Sequence, residues 1–83
     1  MATVQVRSPG DLGRQIRLRR KAVGLTADQT ASLAGVSRRL LLELEQGKRP
    51  NVGLANVLRI LELLGMGMVL SPRGLPGTDS EGA

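Results

Sequence analysis

Between Gly24 and Arg49 the chain reads GLTADQTASLAGVSRRLLLELEQGKR, and its polar residues are of the types that contact nucleic acid. Arg38 and Arg39 carry planar forks of donors that match guanine O6/N7 or phosphate oxygens. Glu43, four and five residues on, can accept from cytosine N4 or can orient an arginine. Leu42 offers only apolar contact, as to a thymine methyl. Lys48 and Arg49 follow a glycine and suit the phosphate backbone. Thr26 stands where a helix opens, so it and the free N–H groups beside it either bind a phosphate or serve the cap alone, and Ser37 opens the helix that carries the arginine pair. Two readings of the arginine pair stay open: readout of base edges, or phosphate contacts that give affinity without sequence choice.

Such side chains work only if a rigid element presents them together. Thr26 to Gln29 has the T-x-x-Q form of a capping box opening a short helix that Gly35 ends. Ser37 caps a second helix running to Gln46, with Gly47 as its left-handed terminator. A short helix, a tight Ala-Gly-Val turn and a second helix led by polar and basic residues is how a helix is placed in the DNA major groove. Leu41 and Leu44 then face a core, leaving Arg38, Arg39, Leu42 and Glu43 outward. Arg20 and Glu45 fall at positions that lean inward, and the spacing predicts an ion pair between them that holds the first helix against the third.

The flanking segments complete a helical unit. Ser8 as N-cap, Pro9 at the first helical position and Asp11 in the first turn start a helix with Leu12, Ile16, the stem of Arg19 and Val23 on one stripe, stopped by Gly24. After a loop at 50–53, residues 54–64 form a fourth helix with Leu54, Val57, Leu58, Leu61 and Leu64 on one face, closed by Gly65. Residues 3–7, TVQVR, alternate as a short strand does. Met66 to Leu70 alternate too, and a lone strand must find a partner for its backbone. Candidates are Val4–Val6 and the same strand of a second copy. Expected organisation is therefore an extended segment at 1–7, the helical unit at 8–65, a dimerisation strand at 66–71 bearing Met66, Met68, Val69 and Leu70, and a flexible Gly/Ser/Pro-rich tail at 72–83.

Composition narrows what this unit can do. Eighty-three residues make one domain, built on aliphatic side chains because Phe, Trp and Tyr are absent. No cysteine and no histidine remove disulfides, thiolate or imidazole metal sites and the commonest general base, so no metal, no cofactor and no enzymatic activity are expected. Neither a signal-peptide apolar run nor a stretch near the roughly 20 residues of a membrane span is present. A cytoplasmic protein without membrane contact is the expectation. Lys and Arg number 12 against 7 Asp and Glu, with ten of the twelve arginine. Residues 7–59 hold eleven basic and four acidic side chains, concentrating the excess on the helices. Such a surface attracts polyanions with strong salt dependence.

Arg20, Gly24-Leu25-Thr26, Ala31, Ala34-Gly35-Val36-Ser37, Glu45-x-Gly47-Lys48 and the Leu64-Gly65 pair together resemble the lambda-repressor-like (Cro/C1, Xre) helix-turn-helix family over about residues 9–65. The opening VRSPGDLG, the helix SRRLLLELEQGK and the segment MGMVL are most similar to HipB-like antitoxins. That resemblance implies a mainly α, compact four-helix domain with a short C-terminal strand that pairs between two subunits. It further implies a dimeric repressor on an inverted-repeat operator in double-stranded DNA, acting as antitoxin of a HipA-type serine/threonine kinase toxin and repressing their shared operon. Three positions depart from the family pattern. Ala27 stands where a phosphate-binding Gln is usual, Thr30 where the core is apolar (with Leu33 as compensation), and Leu42 where a small polar residue faces DNA. A stand-alone Xre-type regulator without a toxin, and a protein-interaction module on the same fold, are the alternatives.

Overall fold

The computed structural model describes residues 3–49 and 51–72, which form four helices: α1 (Pro9–Ala22), α2 (Ala27–Ala34), α3 (Arg38–Glu45) and α4 (Leu54–Leu63). Local chemistry fixes where three of them begin. At α1 the Ser8 hydroxyl accepts from the Asp11 amide at 3.1 Å and Pro9 occupies the first turn. The Asp11 carboxylate accepts from the Arg7 amide, and that bond holds it below the ordinary carboxylate range. At α2 both halves of the capping box form, with the Thr26 amide donating to Gln29 Oε1 and the Gln29 amide to Thr26 Oγ1. At α3 the Ser37 hydroxyl accepts from the Leu40 amide. In contrast, α4 starts after Gly53 with no side-chain cap, and Asn56 Nδ2 donates back to the Val52 carbonyl instead.

Gly35 makes the turn between α2 and α3. Its φ of 72° lets the Val36 amide reach back to the Ala31 carbonyl at 3.0 Å, closing α2 and redirecting the chain within three residues. The core lies where the four helices meet: Ile16, Leu41, Ile60 and Leu64 are fully enclosed, and Ala31, Ala34, Leu44, Val52, Val57 and Leu61 surround them. Two arginines tie helix ends across long stretches of sequence. Arg19 Nε donates to the Leu64 carbonyl at 2.8 Å, and Arg59 Nε donates to the Ala34 carbonyl at 3.2 Å. Carbonyls that the last helical turn leaves unpaired are satisfied in this way.

Three expectations need correction, on the face of α4, Val23 and Leu33. The buried face of α4 is Val57, Ile60 and Leu61, continued by Leu64; Leu54 and Leu58 are exposed, and Ile60 replaces them because α2 packs on the other side of the helix. Val23 is exposed, since α1 ends at Ala22 before the stripe returns inward. Leu33 is exposed as well and cannot compensate for Thr30, which is wholly buried with its hydroxyl unpaired. Among the described residues there is no β-strand: Thr3–Arg7 and Met66–Leu70 form no ladder with each other. Met66 folds back, its amide donating to the Leu61 carbonyl at 2.8 Å and its side chain resting on the core. Met68, Val69 and Leu70 are exposed beyond it. Residues 1–2, Pro50 and the expected flexible tail from residue 73 onward lie outside the described residues.

Candidate nucleic-acid interface

Helix α3 is oriented from beneath by a buried ion pair. Arg20 Nε donates to Glu45 Oε2 at 2.6 Å and Arg20 Nη2 to Oε1 at 2.9 Å, a two-pronged contact between side chains 9% and 2% exposed. The remaining prong, Nη1, reaches the Leu25 carbonyl. Thus one guanidinium fixes the end of α1, the loop entering α2 and the last turn of α3. The hydrogen bonds to Glu45 raise the Arg20 pKa above its ordinary value, against the desolvation of its burial. Gly13 lies buried under the same crossing, with α1 against the backbone carbonyls of Leu44 and Glu45.

Above this support, the outward residues of α3 form a connected charged surface. Ser37, Arg38 and Arg39 are exposed at its N-terminal end. Arg38 Nε pairs with Asp28 at 2.9 Å across the turn, both side chains in solvent, so the contact is worth little and opens readily. Glu43 bridges two arginines: Oε2 accepts from Arg39 Nε at 3.1 Å and Oε1 from Arg49 Nε at 2.7 Å. Arg49 first and Arg39 second hold the Glu43 carboxyl below its ordinary value of 4.5. A carboxylate so engaged orients its arginines, and each guanidinium keeps its terminal N–H groups for another acceptor. Leu42 is half-buried beside this cluster, and Lys48 is exposed past Gly47. The hydroxyls of Thr26 and Ser37 both serve as caps.

Charge counting in the sequence overstated the surface available to a ligand. Arg20 is used inside the fold on Glu45, and Arg19 and the exposed Arg59 are tied to carbonyls of neighbouring helix ends. Arg14, Arg38, Arg39 and Arg49 have acidic partners. Arg17 and Lys21, neither singled out by motif, are exposed on α1 and line the groove that also holds Arg38 and Leu42. Their spacing of four on one helix was the available signal. Among the described residues no group of His, Cys, Asp or Glu has metal-ligating geometry, and no helix is long and apolar enough to cross a membrane.

Two short helices joined at a glycine turn, the second presenting a capped, arginine-bearing end to solvent, define a helix-turn-helix domain of the DNA-binding kind. Comparison with known proteins agrees. The family profile described as "Helix-turn-helix domain" matches residues 11–71. The uncharacterized HTH-type transcriptional regulator y4mF of Sinorhizobium fredii is 36% identical over 69 residues, 82% of this chain and 90% of that protein. Among solved structures, the restriction-modification controller protein C.AhdI from Aeromonas hydrophila superposes with a TM-score of 0.66 at 32% identity, covering 71% of this chain and 88% of that one. HipB in the HipA-HipB-O2-O3 complex superposes at 0.72 with 26% identity, covering 83% and 96%. The chain belongs to the helix-turn-helix family, in its Xre-type branch, and is a DNA-binding transcriptional regulator of that type.

Proposed function

We propose that the protein is a sequence-specific repressor that binds an inverted-repeat operator as a homodimer and acts as the cytoplasmic antitoxin of a HipA-type serine/threonine kinase, repressing their shared operon. One observation carries the DNA-reading part: Arg38 and Arg39 stand exposed at the end of a helix whose tilt is set by the buried Arg20–Glu45 pair. Such a helix enters the major groove by that end, where an arginine fork discriminates guanine from the wrong base by about 1–3 kcal/mol per two-pronged contact. Lys48 and Arg49 then meet phosphates, with Glu43 setting the direction of Arg49 and Arg39. Thr26 and Ser37 add backbone contacts through the helix ends they cap.

Likeness to HipB over most of both chains supports the antitoxin role. A second reading, a stand-alone regulator, is favoured by the higher identity to the controller protein C.AhdI. Isolating the chain from its native host with its bound DNA and protein separates the two: a kinase in the eluate supports the antitoxin, and DNA alone supports the stand-alone regulator. On the DNA so recovered, Arg38→Ala and Arg39→Ala shift sequence preference, whereas Lys48→Ala weakens all sequences alike and flattens the salt dependence. Equal, sequence-blind losses in all three variants overturn base readout.

A further inference from the structure

Arg38 and Arg39 are adjacent at the start of α3, yet their carboxylate neighbours come from different elements. Arg39 shares Glu43, on its own helix, with Arg49. Arg38 is met from the other helix of the pair: Asp28 Oδ1, in the first turn of α2, lies 2.9 Å from Arg38 Nε. The contact falls at Nε, so Nη1 and Nη2 keep donors for another acceptor. Folding does not account for this pairing. The Asp28 side chain is 77% exposed, and the capping box at the same turn is made by Thr26 and Gln29 without it. The dipole of α2 favours an acid in its first turn, but it gives that acid no reason to face α3. On a surface that must approach phosphates, a carboxylate works against affinity for nucleic acid. What it can contribute there is selection.

We propose that Asp28 is a specificity-determining residue that acts through Arg38: it turns the guanidinium end-on toward a guanine edge and makes a phosphate the poorer partner. This inference rests on the DNA-binding reading above, and it selects between the two uses of Arg38, base edge and phosphate. Guanine O6 and N7 are neutral acceptors spaced for two parallel N–H groups, and a carboxylate at Nε leaves such a pair free. A phosphate at the same fork brings its own charge toward Asp28, and like charges brought together suppress the wrong partner. In water the ion pair is weak because both groups are solvated. As a duplex displaces that water the local dielectric falls and the same contact strengthens, so Arg38 is held most firmly when the base is read. An arginine already oriented also loses less side-chain freedom on binding, which is worth about 2- to 10-fold in affinity.

Selection from a pool of duplexes with a randomised core, sequenced after binding, tests the proposal alongside fluorescence anisotropy on a labelled duplex of mixed sequence. The unaltered protein enriches a motif with a guanine that Arg38→Ala no longer requires, a discrimination of about 5- to 150-fold. In Asp28→Asn the preference at that same position falls about 2- to 10-fold, while affinity for the mixed-sequence duplex rises. Adding Asp28→Asn to Arg38→Ala changes the motif no further, because Asp28 acts through Arg38. Glu62→Gln, which removes an exposed carboxylate from α4, leaves the motif as it was. A retained helical circular-dichroism signal and melting midpoint confirm each fold. An unchanged guanine preference in Asp28→Asn overturns the proposal while leaving base readout by Arg38 intact. So does a change confined to positions that Arg38→Ala does not touch, or an equal change in Glu62→Gln, since the effect is then net charge alone. A motif that Arg38→Ala leaves whole defeats base readout by Arg38 itself, and the proposal falls with it.

Discussion

At the scale of single residues, polar groups inside a small aliphatic core have consequences of opposite sign. Arg20 and Glu45 are buried and satisfied by each other. Removing one partner leaves a charge in a poorly solvated site, at a cost of about 3–5 kcal/mol. Glu45→Gln is thus expected to lower the thermal midpoint by well over 10 °C in circular-dichroism melts, since 1 kcal/mol moves a domain of this size by about 4–8 °C. Replacing both residues with aliphatic ones of similar volume restores much of the loss. An unchanged midpoint in Glu45→Gln contradicts a structural role for the pair. Thr30 is the reverse case: it is 0% exposed and its hydroxyl has no partner. Thr30→Val keeps the shape and deletes the orphaned group, with an expected gain of about 1 kcal/mol. A lower melting midpoint would show that the hydroxyl is bonded in solution.

Among elements, the α1–α3 crossing decides where the arginines of α3 point. Gly13 permits it, for a Cβ there would lie 2.1 Å from the Leu44 carbonyl oxygen and 2.8 Å from that of Glu45. Both obstacles are backbone and cannot rotate away. Gly13→Ala therefore forces α1 off α3, costing about 1–3 kcal/mol of stability despite the better helix propensity of alanine. Because Arg20 must still span to Glu45, DNA affinity falls along with the melting midpoint; a midpoint equal to or above that of the unaltered protein refutes the close approach. The starts of α1, α2 and α3 were legible in sequence because each cap closes over three residues, as Thr26 with Gln29 and Ser37 with Leu40 do. So was the arginine-led helix, whose chemistry is local. The buried face of α4 was not: leucines lie on more than one side, and only the distant α2 selects Ile60 over Leu54 and Leu58. Nor could spacing show that Arg19 and Arg59 are spent on carbonyls 45 and 25 positions away. For the same reason only the spacing of Arg17 and Lys21 on α1 was legible and not the groove beside them, as its far wall belongs to α3.

For the whole molecule, the unresolved demand is at the C-terminal side of α4. Val69 and Leu70 are 76% and 91% exposed, and the segment they belong to forms no ladder within the described chain. We propose that this exposed apolar segment is covered by its own copy, because a two-fold axis lets one surface complement itself. The proposed dimer would set its two α3 helices about 34 Å apart or a multiple of it, matching an inverted repeat. The backbone, more than any one side chain, would carry the pairing, so the informative change removes donors. Successive residues of a strand point their amides to opposite edges, so Met68→Pro with Val69→Pro deletes an inward donor in either register. Sedimentation at micromolar concentration is expected to give a dimer for the unaltered chain and a monomer for the double proline variant, with the helical signal retained because Met66 still closes on Leu61. Affinity for an inverted repeat then drops steeply, while affinity for a single half-site stays near its original value, as each α3 keeps its support from Arg20. A persistent dimer in the proline variant would place the interface elsewhere, with exposed Leu54 and Leu58 of α4 next to be tested; a monomeric unaltered chain would refute the dimer outright.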